Sequence, residues 1–190
     1  MQITPLTPDL DLGASRLIRS PGLHMSTLYN NFYQELEPER YVRGAPLDMK
    51  RVELGFSLEE MLEEGLKRRL ASRPGEFRTK EGIAFSPDLL MFNGGVRLGE
   101  IKLTWMSSRD VPREAGATSF PRKFDKYFTQ MQAYCHHLET PSARLYAFFV
   151  NGDYRTMTPE LLAWDIEFTP DELHTTWRQL LNYGRSRKLL

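Results

Sequence analysis

The chain has 190 residues, 41% hydrophobic and 26% charged, the proportions of one soluble globular domain able to bury its own core. Its 25 basic and 25 acidic residues cancel, where a nucleic-acid binder is more often basic. The single Cys135 excludes an internal disulfide, a structural zinc or an iron–sulfur cluster, no apolar run nears the ~20 residues of a membrane helix, and no secretory pattern opens the chain, so a reducing cytoplasm is the expected compartment.

In chain order, residues 1–22 read as an irregular lead-in broken by Pro5, Pro8 and Pro21. Ser26 caps a short aromatic helix through Tyr33, and 38–53 read as loop. From Ser57 to Ala71, Leu58, Met61, Leu62, Leu66 and Leu70 recur at helical spacing. Ser57 followed by Glu60 has the form of a capping box, and Pro74-Gly75 ends the helix. The segments 81–92 and 96–105 read as strands joined by Asn93-Gly94-Gly95, residues that tolerate positive φ and favour a hairpin. A loop covers 106–121. Residues 122–138 form a helix with a stripe of Phe124, Phe128, Met131, Cys135 and Leu138. Residues 143–152 are a buried strand and 163–168 a more exposed one. Thr169 caps a last helix from Pro170 to Tyr183. The order predicts a mixed α/β sheet with helices packed on it, in one domain: an amino-terminal extension over 1–50 and a core over 50–185.

The chemistry gathers on the hairpin. Glu100 and Lys102 project to one face of their strand and Ile101 to the other, because strand side chains alternate. The hairpin brings Asp88 across from them. Two carboxylates on one face, with the Ile101 carbonyl, form a hard-oxygen site suited to Mg²⁺ or Mn²⁺. Such an ion acidifies water and stabilises charge on a phosphate. Lys102, a compact cation, orients that water or acts on the transition state.

Ser86-Pro87-Asp88 followed by Gly99-Glu100-Ile101-Lys102 across a hairpin resembles the PD-(D/E)XK nuclease signature. Gln130 and Tyr134, spaced i, i+4 in the following helix, resemble the QxxxY motif of RecB-like and lambda-exonuclease-like nucleases. Gly55 and Glu59 fit the Gly-x-x-x-Glu element that those nucleases carry upstream, with Glu60 and Glu63 competing for the role of third carboxylate. The resemblance covers residues 50–185. It implies a restriction-endonuclease-like core, a central mixed β-sheet flanked by helices. It implies catalytic Asp88, Glu100, Lys102, Gln130 and Tyr134, and a metal held by Glu59, Asp88, Glu100 and the Ile101 carbonyl. The cofactor implied is Mg²⁺ or Mn²⁺, without the four-cysteine iron–sulfur cluster of some relatives.

DNA is the implied partner, with no membrane. Arg109, Arg113, Arg122, Lys123 and Lys126 follow the hairpin and are candidate phosphate contacts. QxxxY points to cleavage from DNA ends, as in compact phage-type exonucleases. An endonuclease of the same fold, an RNA-directed relative and a DNA- or partner-binding protein with little hydrolysis stay open, as does homo-oligomerisation. Against their neighbours, His136 and His137 read as cations favoured by a helix C-terminus, and Trp105, Trp164 and Trp177 as core. Ser119 has no His/Asp partner pattern, so nothing supports a serine hydrolase.

Overall fold

A computed structural model describes residues 2–6, 20–41, 71–72, 74–92, 94–114, 119–151 and 158–190, and 54–55, 57–58, 60–62 and 64–65. In chain order these form β1 (Gln2–Leu6), α1 (Met25–Leu36), β2 (Ala71–Ser72), β3 (Phe77–Arg78), β4 (Ala84–Phe85), β5 (Leu89–Met91), β6 (Arg97–Thr104), α2 (Asp125–His137), β7 (Ser142–Phe149), β8 (Glu160–Glu167) and α3 (Pro170–Ser186). The described residues between 54 and 65 are helical.

Six strands make one sheet in the order β1-β8-β7-β6-β5-β2, while β3 and β4 pair separately. Strands β6 and β7 run parallel; every other pair is antiparallel. Parallel neighbours need a crossover, and α2 supplies it. The expected mixed sheet flanked by helices is the fold observed.

Alternation along β6 and β7 divides the core. Leu98, Leu145 and Phe149 point to one face and bury against α1, α2 and α3 through Met25, Leu28, Phe128, Met131, Trp177 and Leu180. Ile101 and Tyr146 point to the other face and pack with Leu58, Leu62 and Leu89. Fully burying a side chain of that size stabilises by about 1.5–3 kcal/mol, so both faces are held firmly. Glu100 and Lys102 therefore share the face that α2 covers.

Several expectations are corrected. The lead-in contains a strand: β1 pairs with β8 from Gln2↔Glu167 to Leu6↔Ala163. Pro5 breaks a helix but is tolerated in an edge strand. Helix α1 begins at Met25, with His24 rather than Ser26 at the cap. Residues 54 and 55 are already helical, so Ser57 is not a cap, and Ala71 lies in β2; Leu66 and Leu70 fall outside the described residues. The expected strand 81–92 divides into β4 and β5, in different sheets, with Pro87 between them. Strand β8 is longer than expected and more buried, at Trp164 and Ile166, because both lie on the sheet face that packs into the core with Phe124, Phe149 and Trp177.

Other expectations hold. The β5–β6 hairpin is antiparallel, with Gly94 and Gly95 at φ 75 and 141°; Asn93 lies outside the described residues. Thr169 caps α3 with a full Thr169–Glu172 capping box. Trp164 and Trp177 are core. His136 and His137 do end α2, but not as cations: burial pushes the His137 imidazole down to about 4. Its ring meets Trp177 edge-on at 4.3 Å. Among the described residues, no helix is long and apolar enough to cross a membrane.

Candidate active site

The ladder between β5 and β6 stops at Leu89↔Gly99. A continuing strand would place residue 88 opposite Glu100 and residue 87 opposite Ile101. Proline at 87 cannot donate to a ladder. Asp88 turns its side chain inward instead, and its Oδ2 accepts the Ile101 N–H at 2.8 Å. The carboxylate thus caps the end of the hairpin and is fixed beside Glu100.

Glu100 projects from the middle of β6 with a fully buried side chain, 0% exposed. Burying a carboxylate is costly unless it is paired and hydrogen-bonded. Glu100 Oε1 meets both conditions. The Lys102 ammonium donates to Glu100 Oε1, as does Gln130 Nε2 at 2.5 Å. The same ammonium donates to the Ile101 carbonyl at 3.0 Å and lies 3.8 Å from Asp88 Oδ2. It also sits 5.5 Å from the centre of the Tyr127 ring. Three oxygens, from Asp88, Glu100 and the Ile101 carbonyl, therefore converge on one cationic centre.

That convergence tests whether the residues suit the expected ion. All three are hard oxygens, the chemistry that Mg²⁺ and Mn²⁺ require, and all already face a positive charge. The donor set fits. Among the described residues no group of three Asp, Glu, His or Cys side chains assembles. Glu59, expected as a third carboxylate, and its competitor Glu63 lie outside the described residues.

Gln130 and Tyr134 occupy one face of α2, as their spacing requires. That face is inward. Gln130 is 5% exposed and Tyr134 3%. These two residues, implied as catalytic by the resemblance, thus lie behind the carboxylates rather than on the surface. Tyr134 packs on Phe85 with ring centres 5.2 Å apart. Burial, reinforced by the Glu100 charge, pushes its phenol well above the usual tyrosine range, so the hydroxyl stays protonated.

The candidate phosphate contacts separate. Arg113 turns away: it forms a two-pronged pair with Glu160, both contacts 2.7 Å, and donates to the Ser108 carbonyl at 3.0 Å. Arg122 is exposed and reaches Glu37 at 2.9 Å. Arg109 is exposed on a short 3₁₀ turn, Ser108–Asp110. Lys126 lies nearest the chemistry, its ammonium 5.4 Å from both the Tyr41 and Tyr127 ring centres. Burial, then repulsion from Lys102 and Lys123, holds it below the usual lysine range. Lys102 and Lys126 thus share the Tyr127 ring, which makes a cationic border to the carboxylates.

Sequence reasoning missed Tyr29 and Tyr127. Tyr29, on α1, donates its hydroxyl to Gln130 Oε1 at 2.8 Å in a buried contact. The aromatic run of α1 was visible in the sequence, but nothing local ties it to a helix a hundred residues on. Tyr127 lay in the expected helix, where its spacing from Gln130 was the available signal.

No protein-family model and no curated protein matches the chain. Among solved structures it is similar to the crystal structure of SSO0001, with a TM-score of 0.51 and 16% identity over 91% of this chain and 80% of that one. At such identity the likeness is one of fold, and it agrees with the mixed α/β core described above.

Proposed function

We propose that the chain is a Mg²⁺- or Mn²⁺-dependent nuclease of the PD-(D/E)XK type that hydrolyses phosphodiester bonds in DNA. The observation that carries this reading is the convergence of Asp88, Glu100 and the Ile101 carbonyl on the cationic centre beside Lys102. Those three groups would hold the ion. When bound, it supplies a concentrated positive charge for a phosphoryl oxygen and for acidifying water.

The chain's own residues do the rest. Asp88, tied to the Ile101 N–H, keeps its position without the ion. Lys102 provides a movable ammonium for the charge that builds on phosphate oxygens in the transition state. Lys126 and Lys123 offer a cationic approach for neighbouring phosphates. The QxxxY resemblance favours action from DNA ends.

Asp88→Asn tests the reading, because an amide oxygen can still accept the Ile101 N–H while the charge is lost. Wild type should degrade linear DNA with Mg²⁺ or Mn²⁺ and spare closed circles. The variant should melt within about 2 °C of wild type, since the bond worth about 1 kcal/mol is kept, and lose cleavage. Cleavage in excess EDTA, or by the variant at the wild-type rate, rejects the metal-dependent reading. Efficient opening of closed circles rejects end-directed action alone.

A further inference from the structure

Gln130 is held at both ends of its amide, which determines which way round it lies. An ionised carboxylate only accepts hydrogen bonds. The Gln130 atom against Glu100 Oε1 must therefore be its NH₂, at 2.5 Å. Its carbonyl then points to α1, where the Tyr29 hydroxyl donates at 2.8 Å. A neutral phenol can donate here; a phenolate cannot. Burial holds the Tyr29 phenol far above the usual tyrosine range, so the donor persists at any working pH.

We infer that Tyr29 is a positioning residue of the site: through the Gln130 amide it fixes the rotamer and the acceptor geometry of the Glu100 carboxylate. This rests on the reading of Glu100 as a metal-holding residue. Without Tyr29 no donor among the described residues meets the Gln130 carbonyl at that end, and an amide that turns over presents its oxygen to Glu100. Two acceptors would then face each other inside the protein, which drives Glu100 off its present geometry. Helix α1, expected to be an extension outside the core, thereby becomes part of the site's support. Supporting partners of this kind typically change metal affinity by about 10–100-fold when removed.

The test is Tyr29→Phe, which deletes one oxygen and keeps the ring. The first readout needs neither metal nor DNA. In protein labelled with ¹⁵N-glutamine, the Gln130 side-chain amide, assigned by its absence in Gln130→Ala, should exchange slowly with solvent. In Tyr29→Phe its exchange should quicken about tenfold or more. The second readout is the Mn²⁺ dissociation constant by calorimetry, which should rise about tenfold in Tyr29→Phe. In a Gln130→Ala background, Tyr29→Phe should change that constant no further. A merely structural tyrosine would lower the melting point of both backgrounds alike and leave the amide exchange and Mn²⁺ affinity as they were; that result overturns the inference. If wild type binds no Mn²⁺ and cleaves no DNA, the nuclease reading falls. The amide exchange then still decides whether Tyr29 orients Gln130, and unchanged exchange would defeat it on its own.

Discussion

Gly99, the first residue of the Gly-Glu-Ile-Lys run, bears on both packing and the site. A Cβ at this position would sit 2.8 Å from Leu89 Cβ and 3.3 Å from its Cδ1. Carbon atoms settle at about 3.5–4.0 Å, so Gly99→Ala requires β5 and β6 to separate by about 1 Å. Leu89 cannot yield by rotating, because its Cβ is fixed to the backbone. The next residue back is Asp88, whose 2.8 Å bond to the Ile101 N–H would stretch beyond hydrogen-bond range. Overpacking costs about 1–3 kcal/mol and the lost bond about 1 kcal/mol. Replacing a strand glycine returns about 0.5–1 kcal/mol of backbone entropy. The net expectation is a loss of about 1–3 kcal/mol, or about 2–12 °C in melting midpoint for a domain of this size. Calorimetric melting of the variant measures it directly. Adding Leu89→Ala should not restore the midpoint, since alanine keeps the offending Cβ. A Gly99→Ala protein that melts at or above wild type refutes the reasoning.

Lys102→Met leaves Glu100 buried with only part of its pairing, so the metal-free protein should lose about 3 kcal/mol, and Mn²⁺ should raise its midpoint by more than it raises that of wild type; equal shifts in a melting series would count against the shared cationic centre. The His137 imidazole has its folded value pushed down from 6.5 to about 4, so the unfolded chain binds the extra proton between those values. Stability should therefore be full above about pH 6.5 and fall as pH drops toward about 4, and His137→Phe should flatten that part of a denaturation-versus-pH curve. Arg113→Ala should cost no more than about 1 kcal/mol, as expected of an exposed ion pair, and leave DNA affinity unchanged; Lys126→Ala should weaken DNA binding and lower its salt dependence by about one phosphate contact, as read by titration at several salt concentrations.

What the sequence made legible is local. The Gly94-Gly95 turn signals a hairpin through backbone freedom alone, and period-two alternation then puts Glu100 and Lys102 on one face. Spacing alone aligns Gln130 with Tyr134. It does not say which way that face points: both a polar amide and a phenol can serve inside a protein once they are paired. The inward answer depends on Glu100, a buried charge that needs a donor from α2. Tyr29 was out of reach for the same reason, because its partner lies 101 residues along the chain. The strand expected over 81–92 was misjudged because the apolar stretches 83–85 and 89–92 read as one extended segment, whereas Pro87 and the Asp88 side chain end the ladder between them. Arg113 looked free in a basic stretch because its partner Glu160 comes from β8, forty-seven residues later.

Strand β1 carries an implication for the order of assembly. It borders the sheet through β8 alone, and Gln2 meets Glu167, a closure of about 165 residues that costs about 4–5 kcal/mol of chain entropy when nothing else has formed. Once β7 and β8 have paired, most of that cost has been met by other contacts. Docking of β1 is then expected late, onto a finished template. During synthesis the strand leaves the ribosome long before its partner exists, and β8, when it appears, presents an open edge until β1 arrives. Open edges recruit strands from other molecules. The moment of greatest exposure to misassembly therefore falls after most of the domain is in place, and a short amino-terminal segment brings it to a close.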